Sequence, residues 1–423
     1  MAASAAASAA AKSVASQAAA EGIWGDFGGG SASVEIFGQY APYCANHFHS
    51  KPKPELTAKL VRFESSIEIK KTYDEQQLVR WITMCGSDGI NYRFMLQFNG
   101  SYFTRADEHC AQAHFLLDKA LRKGIMSSRK HLSFRPNTVV PIAQRLRMIA
   151  DHKNNMSLKE ILVDFSLSAG KDPCEAQSFY TEKLSKIETS EGSATGELKL
   201  KLYLEMCETR VMPTILQHQI FASAGSAESI YFFRKNFSCQ LALASLMQHA
   251  MNSNEVIPSR VVFNVQTGQV IPFDFRLSYN NQGLLDGNSI PFRMTRNIST
   301  LIGTSMREGV FIPTFTCGAE AMSKVKDDFR PALCLILRDD IVSWYCSKSP
   351  PRSDVKNQEL ERQLGERILK NVSICQKRFS DCSPDDSQNS GDNLADAQVR
   401  ELLSTAISPE ILCHATPVFQ AWL

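Results

Sequence analysis

Residues 260–275 read RVVFNVQTGQVIPFDF, and this stretch decides the fold class. Its β-branched and aromatic residues form two runs, Arg260–Val265 and Gln269–Phe275, on either side of Thr267-Gly268. Two such runs around a glycine-containing turn predict a β-hairpin. The surrounding sequence, from about Arg145 to Tyr345, has mainly the helical spacing of apolar side chains. A strand pair inserted in a helical domain is therefore expected.

The helical stretches outside the hairpin follow from the same spacing. Ser157 and Glu160 form a capping-box pattern that opens the first of them. The other expected helices are Glu197–Cys207, Pro213–Phe221, Tyr231–Phe237, Cys239–Met251, Lys326–Trp344 and Asn357–Gln376.

The part of the chain before the helical domain is rich in strand signals. Leu60–Ile69, Leu78–Cys85 and Ile90–Gln97 carry β-branched and aromatic residues, and Gly86-Ser87-Asp88-Gly89 predicts a tight hairpin between the last two. Thr104–Leu121 then has helical spacing, which places one long helix against this sheet.

Shifts in composition divide the chain into five expected regions. Serine, alanine and glycine dominate the first region, which has too few large apolar residues to form a core. The regions are a low-complexity lead-in at 1–33, a sheet-rich lobe at 34–136, a helical lobe at 137–346, a charged helix with an acidic, disordered linker at 347–395, and a helical tail at 396–423.

Bulk composition excludes several classes of function. The chain has 423 residues with 43% hydrophobic side chains and a net charge of +2, as in an ordinary globular protein. It shows no basic face for nucleic acid and no apolar run of about 18 residues for a membrane span. The twelve cysteines form no C-x-x-C pair, which predicts reduced thiols, although Cys44, His47 and His49 leave a zinc site open as an alternative.

Several segments together resemble the phosphatidylinositol-3-kinase-related kinases, the PIKKs. Their order and spacing agree with that family over nearly all of the chain after residue 33. The segments are Gly38-Gln39-Tyr40, Gly86–Gly89 followed by Tyr92-Arg93-Phe94, Arg105-Ala106-Asp107-Glu108, Thr267–Phe275, Pro291–Ile298, Arg338–Trp344 and the last 27 or so residues. The resemblance implies an α+β, bilobal protein-kinase-like fold of the PI3/PI4-kinase type, with a C-terminal FATC tail.

Carried over position by position, the resemblance implies degenerate catalytic positions. The phosphate-binding lysine is replaced by Gln97, and the catalytic aspartate and histidine are replaced by Glu255 and Ile257. Arg260 occupies the position of a metal-ligating asparagine, while Asp274 retains the second metal position. A guanidinium donates hydrogen bonds but cannot coordinate a cation. No cofactor and no metal are therefore expected.

Within the PIKKs, the TRRAP-type branch lacks these catalytic residues. The resemblance implies a nuclear, non-catalytic scaffold of a histone acetyltransferase complex of the SAGA type. Its partners would be subunits of that complex and transcription activators, without direct contact to nucleic acid or membrane. Two alternatives stay open: a divergent but active Ser/Thr kinase, resting on Glu255 and Asp274, and a lipid-associating tail, resting on the aromatic end Phe419–Leu423. The chain is also open to being a fragment of a much larger protein.

Overall fold

The computed structural model divides the chain into two compact units. The sheet unit comprises the residues up to Thr104 together with Asn137–Lys153, and the helical unit comprises Arg105–Pro136 together with Asn154–Leu423. The structure describes residues 34–38, 57–71, 78–98, 106–134, 136–143, 146–189, 195–253, 256–272, 277–285, 290–348, 357–384 and 391–423.

The sheet unit contains one antiparallel sheet with strand order β1-β3-β4-β6-β5, and β2 also pairs with β3. Its strands are β1 (Leu60–Phe63), β2 (Glu68–Lys71), β3 (Leu78–Gly86), β4 (Asn91–Phe98), β5 (Val139–Ala143) and β6 (Leu146–Asp151). One face of the sheet is buried in a small core formed by Ile36, Ala58, Leu60, Met84, Phe94 and Met148.

The structure corrects two strand predictions in this unit. The single strand expected at Leu60–Ile69 is two short strands, β1 and β2, and both pair with β3. The helical region expected to begin near Arg145 begins instead with strand β6, which pairs with β4 through residues such as Leu96 and Met148. The pairing partner lies about 50 residues earlier in the chain, so local spacing carries no signal of it.

The helical unit contains a long series of helices around the main hydrophobic core. They are α1 (Ala106–Lys123), α2 (Ile125–Arg129), α3 (Leu158–Ser168), α4 (Glu175–Glu188), α5 (Thr195–Glu205), α6 (Ile215–Ser223), α7 (Ala227–Ala250), α8 (Arg296–Met306), α9 (Ile312–Lys324), α10 (Lys326–Lys348), α11 (Asn357–Asp381), α12 (Gly391–Ile407) and α13 (Pro409–Leu412). The two helices expected at Tyr231–Phe237 and Cys239–Met251 are one continuous helix, α7.

Helix α1, which the sequence analysis grouped with the sheet-rich lobe, belongs to the helical unit. The predicted face is the buried one: Cys110, Ala113, Leu117 and Leu121 are each at most 3% exposed. These side chains pack in the same core as the helices that follow. The periodicity thus identified the buried face correctly but carried no information on which partner covers it.

The hairpin that opened the sequence argument forms strands β8 (Val262–Asn264) and β9 (Val270–Ile271), and β7 (Asn155–Ser157) joins it as a third strand. Gly268 closes the turn with a φ of +72°, and a Cβ there would lie 2.6 Å from the carbonyl oxygen of Phe233. Glycine is therefore required by both the backbone conformation and the close approach of α7. Ser157 and Glu160 form the predicted capping box on α3.

The C-terminal region is more ordered than the sequence suggested. The acidic, disordered linker expected within 347–395, which covers residues 380–395, overlaps the ends of two helices, since α11 runs to Asp381 and α12 begins at Gly391. Residues 385–390 lie outside the described part of the chain. Ala395, at the end of the expected linker, is 2% exposed and therefore buried rather than solvated.

Two further sequence predictions concern regions outside the described residues. The low-complexity lead-in at 1–33 and the possible zinc ligands Cys44, His47 and His49 lie there. Among the helices that are described, none is both long enough and apolar enough to cross a membrane.

Candidate functional site

The Gly86–Gly89 hairpin is the first element that the resemblance associates with the site, and its amides are bonded internally. The amide of Ser87 donates to the carbonyl of Lys59 at 2.8 Å, and that of Gly89 donates to Gly86 at 3.0 Å. The amide of Gly86 donates to Ile90 at 2.9 Å, and Ile90 in turn donates to a carboxylate oxygen of Asp88. These four amides are not available to cradle a phosphate.

Asp88 stabilises the same hairpin through its side chain. Its second carboxylate oxygen accepts a hydrogen bond of 2.6 Å from the hydroxyl of Tyr92. This bond lowers the pKa of the Asp88 carboxyl, whereas burial and the neighbouring carboxylate raise the pKa of Tyr92 to about 12. Both groups therefore keep their charge states at neutral pH and act as structural partners within the turn.

Gln97 occupies the position that the resemblance assigns to the phosphate-binding lysine. It lies on β4 directly opposite Arg147 of β6, so the two side chains share one face of the sheet. Arg147 is only 2% exposed. The Oε1 atom of Gln97 is buried without a hydrogen-bond partner among the described residues. An amide offers a dipole at this position but no full charge.

Arg260 occupies the position that the resemblance assigns to a metal-ligating asparagine. It is the last residue of a short 3₁₀ turn, Pro258–Arg260, whose final amide donates to the carbonyl of Ile257 at 3.0 Å. The turn leads directly into β8, as expected for the loop before the hairpin. A cationic guanidinium here would repel a divalent metal rather than hold it.

Glu255 and Asp274, the two carboxylates of the predicted site, lie outside the described residues. Gln97 belongs to the sheet unit and Arg260 to the helical unit. Among the residues that the structure describes, no group of three or more His, Cys, Asp or Glu side chains could hold a metal ion. An amide at Gln97 and a guanidinium at Arg260 thus stand where the resemblance places the lysine and one metal ligand of phosphoryl transfer.

A second polar cluster, which the sequence argument did not predict, lies at the C-terminus. Arg293 is 2% exposed and donates to three backbone carbonyls, those of Val256, Phe419 and Gln420, at 2.9, 2.5 and 3.1 Å. Its guanidinium also lies over the ring of Phe419, 4.5 Å from the ring centre. Three charge-assisted hydrogen bonds and a ring contact compensate the burial of this cation.

Arg296 and Tyr180 complete this cluster around the last residues of the chain. The Nε atom of Arg296 donates to the carbonyl of Trp422 at 3.4 Å, and the Trp422 ring lies 4.3 Å from that of Tyr180. Phe419, Trp422 and Leu423 are each at most 1% exposed. We call the set Arg293, Arg296, Phe419, Gln420 and Trp422 the tail anchor.

The tail anchor bears on the lipid-associating alternative, which rests on the aromatic end Phe419–Leu423. Phe419 and Trp422 pack inside the helical unit, so the aromatic end is not exposed for insertion into a lipid surface. Arg293 lies within the segment Pro291–Ile298 that carries the PIKK resemblance. A charged residue between apolar neighbours in that segment was the available signal of a buried, paired cation.

Comparison with known proteins assigns the family. Residues 93–346, which are more than half of the chain, match the model of the phosphatidylinositol 3- and 4-kinase family. The chain belongs to this family. The matched residues include β4 with Gln97, the turn with Arg260, the β8–β9 hairpin and the Arg293 segment of the tail anchor.

Two similar proteins confirm the resemblance to TRRAP-type proteins. The chain is 24% identical to the "SAGA complex/NuA4 acetyltransferase complex subunit TRA1" of Saccharomyces cerevisiae over 92% of its length. It is also 24% identical to the human "Transformation/transcription domain-associated protein" over 94% of its length. The chain spans only 10% of the length of each of these relatives.

A solved structure named "FAT and kinase domain of CtTel1" has the same fold. It superposes with a TM-score of 0.65 at 16% identity, over 88% of this chain and 25% of that chain. At this identity the likeness shows the fold alone. It confirms the expected combination of an antiparallel sheet lobe and a helical lobe in the PIKK kinase-domain style.

Proposed function

We propose that the chain is a pseudokinase module that acts as a non-catalytic scaffold in a nuclear histone acetyltransferase complex of the SAGA type. Its partners are protein subunits of that complex and transcription activators. The observation that carries this proposal is the 24% identity, over 92–94% of the chain, to two TRRAP-type proteins. One of these is named as a subunit of the SAGA and NuA4 acetyltransferase complexes.

The chemistry of the described residues supports the loss of kinase activity. Phosphoryl transfer needs a lysine on the phosphates, metal ligands and a base for the attacking hydroxyl. Gln97 and Arg260 occupy two of these positions, and Ile257 occupies the position of the catalytic-loop histidine. Removal of one preorganised charge-stabilising group costs about 10²–10³ in rate. Several such losses in one site leave little activity for selection to maintain.

An active Ser/Thr kinase is the second candidate function. It is favoured by Glu255 and Asp274, whose carboxylates match the types required for a base and a metal ligand. It is also in keeping with the name of the solved structure with the same fold, which includes a kinase domain. The replaced positions at Gln97 and Arg260 argue against it.

Calorimetric titration with Mg²⁺-ATP separates the two candidates. We expect no measurable heat of binding at millimolar nucleotide, because the lysine and one metal ligand are replaced. A dissociation constant tighter than about 100 μM, near −5.5 kcal/mol, would contradict the pseudokinase assignment. A Gln97→Lys, Arg260→Asn double variant is the matched comparison, because it restores both replaced groups in the same fold.

The scaffold role is tested separately by purification of the tagged, full-length gene product from nuclei. We expect acetyltransferase subunits to co-purify in stoichiometric amounts, and to do so equally with the Arg260→Ala variant. Co-purification of a single phosphorylated substrate without acetyltransferase subunits would favour the kinase. The results of the titration and of the co-purification are independent, since a scaffold that binds nucleotide would still assemble with the acetyltransferase subunits.

A further inference from the structure

Lys130 and Cys317 bring an amine and a thiol into contact within the helical unit. The Nζ atom of Lys130 donates a hydrogen bond of 3.5 Å to the Sγ atom of Cys317, from a position 187 residues earlier in the chain. Lys130 directly follows α2, and Cys317 lies on α9. Lys130 is exposed, whereas Cys317 is only 8% exposed. The thiol is therefore reached from solvent beside the lysine amine.

The backbone on the lysine side of this pair is fixed by hydrogen bonds. The amide of Lys130 donates to the carbonyl of Met126 at 3.1 Å, and His131 then turns the chain with a φ of 52°. The hydroxyl of Ser127 donates to the carbonyl of Leu121 at 2.6 Å, which ties α2 to the end of α1. The starting point of the Lys130 side chain is thus set by two helices.

The helix on the cysteine side is held by close packing. A Cβ at Gly318, next to Cys317, would lie 2.9 Å from a methyl carbon of Leu246 on α7. A Cβ at Gly124, directly before α2, would lie 3.6 Å from the Cβ of Ala321, one turn after Cys317 on α9. The start of α2 and α9 therefore meet closely, and the approach of the amine to the thiol follows from this backbone arrangement.

A second thiol, Cys239, lies near the pair but is less suited to react. Its Sγ atom accepts a hydrogen bond of 3.7 Å from Thr314, which is one turn before Cys317 on α9. Burial raises the pKa of Cys239, and the bond from Thr314 and the ammonium groups of Lys235 and Lys130 offset this only in part. Cys239 thus stays a neutral thiol at neutral pH, and a neutral thiol is a weak nucleophile.

We propose that Lys130 and Cys317 form a covalent sulfenamide cross-link when the chain is exposed to hydrogen peroxide. The ammonium group of Lys130 favours the thiolate form of Cys317, which is the form that peroxide oxidises. The thiolate sulfur attacks one peroxide oxygen, the O–O bond breaks, and Cys317 becomes a sulfenic acid. The sulfur gives two electrons to the peroxide, and the released hydroxide takes a proton from Lys130 to form water.

The second step joins the two side chains without a further oxidant. Lys130 is now a neutral amine beside the sulfenic sulfur of Cys317, and its nitrogen attacks that sulfur. An N–S bond forms, the S–O bond breaks, and the hydroxyl group leaves as water with one proton of the amine. The product has two hydrogen atoms fewer than the original thiol and amine. A dithiol such as dithiothreitol returns two electrons, restores both groups and becomes a disulfide.

The cross-link would join the end of α2 to α9 across a long stretch of chain. A bond between residues 187 positions apart restricts the unfolded chain, so it stabilises the folded state relative to the unfolded state. Lys130 and Cys317 are neither assigned catalytic positions nor members of the tail anchor. The proposal is therefore independent of the scaffold function.

Peptide mapping of the purified chain tests the proposal directly. The chain is treated with a small excess of hydrogen peroxide, its remaining thiols are alkylated, and it is digested with trypsin without reduction. We expect a cross-linked pair of peptides that contains Lys130 and Cys317 and lacks two hydrogen atoms. Trypsin should fail to cleave after Lys130, and dithiothreitol should restore both the cleavage and the free thiol.

Two lysine variants separate the cross-link from general oxidation. Lys130→Arg keeps a positive charge beside the sulfur but has no neutral amine, so at least about tenfold less cross-linked peptide is expected. Lys123→Arg makes the same change at an exposed position on α1 and should leave the yield unchanged within about twofold. Cys317→Ala should abolish the product. Cys174, an exposed thiol, is an internal control and should be oxidised or alkylated without a lysine cross-link.

Thermal unfolding gives a second measurement of the same bond. Peroxide should raise the unfolding midpoint of the parent relative to that of Lys130→Arg treated in the same way, and dithiothreitol should remove the difference. Equal midpoints of the two oxidised proteins would contradict the proposal.

Three results of the mapping would overturn the proposal. One is a disulfide between Cys239 and Cys317 in place of the lysine cross-link. Another is a Cys317 that stays reduced, or that is oxidised while trypsin still cleaves after Lys130. The last is a cross-link that retains an oxygen atom between nitrogen and sulfur, because the condensation step would then be wrong.

Discussion

Two arginines of this chain lie near the same short segment and illustrate opposite uses of charge. Arg260 ends the turn Pro258–Arg260, at the position where the PIKK resemblance expects a metal ligand. Arg293 is buried and donates to the carbonyl of Val256, which begins the described part of that segment, and to two carbonyls of the C-terminal tail. Arg260 therefore occupies a position that the resemblance assigns to catalysis, whereas Arg293 stabilises the fold through buried hydrogen bonds.

The contrast between Arg260 and Arg293 shows what a buried charge requires of its surroundings. A buried guanidinium is costly unless each of its hydrogen bonds is satisfied, so its environment must be accurately built. Arg293 in the tail anchor donates three hydrogen bonds to backbone carbonyls, and Gln420 lies in the left-handed region at a φ of 49°. That conformation costs a non-glycine residue about 1 kcal/mol. The tail anchor therefore requires accurate placement of its side chains.

Trp422→Ala should give the largest effect, because it removes the largest buried ring of the tail anchor. The ring is 1% exposed and packs on Tyr180, so its removal leaves a cavity as well as lost apolar contact. We expect the free energy of unfolding in urea to fall by about 3–5 kcal/mol.

Val418→Ala is the matched control, since Val418 belongs to the same tail but is 53% exposed. It should change the free energy of unfolding by less than about 0.5 kcal/mol. Similar losses from both substitutions would show that the tail as a whole, and not its buried aromatic ring, provides the stability.

Arg293→Lys should cost somewhat less, about 2–4 kcal/mol, although the charge is kept. A lysine ammonium lacks the planar fork that serves three carbonyls at once, so at least one buried acceptor loses its partner. Chemical unfolding measures the loss, and limited proteolysis should show faster cleavage near the tail. If Arg260→Lys costs as much, the contrast between the two arginines is wrong.

Asp340 is another charged group that the fold largely buries, and its carboxyl lies beside Tyr279. Burial raises its pKa to about 6 from an ordinary value of 3.8. The folded state then binds the proton more tightly than the unfolded state, so this group favours folding more as the pH falls from about 7 to about 4. Asp340→Asn should remove that pH dependence and stabilise the protein by about 1–3 kcal/mol at pH 8.

The pH prediction is checked by thermal or urea unfolding at a series of pH values. Asp327→Asn, an exposed change on the same helix, is the control and should leave the slope with pH unchanged. A parent and an Asp340→Asn variant with identical pH profiles would contradict the assignment of the raised pKa to Asp340.

Features with a local cause could be predicted from the sequence. The hairpin at Gly86–Gly89 follows from its turn residues, and the start of α3 follows from the Ser157 and Glu160 pair. The buried face of α1 follows from the spacing of Cys110, Ala113 and Leu117. In each case the sequence pattern that carries the prediction lies within a few turns or a few residues of the chain.

Features with a distant cause could not be predicted. Strand β6 is defined by its pairing with β4, and α1 by a core built from helices that follow it. The role of Arg293 depends on Phe419, which lies 126 residues further along the chain. The catalytic positions were accessible only through the family resemblance, because no local rule identifies Gln97 or Arg260 as substitutions.

The smallest effects are expected at the assigned catalytic positions themselves. Glu255→Ala and Arg260→Ala should each change the free energy of unfolding by less than about 1 kcal/mol, because neither group is expected to serve phosphoryl transfer in a scaffold. Incorporation of the tagged, full-length product into the acetyltransferase complex should also be unchanged, as measured by quantitative co-purification. The strict comparison is between Arg260→Lys and Arg293→Lys, since both make the same substitution in the same unit. Loss of an in vivo function by Glu255→Ala, with stability and assembly intact, would show that this position still performs chemistry. The proposal of a non-catalytic scaffold would then be wrong.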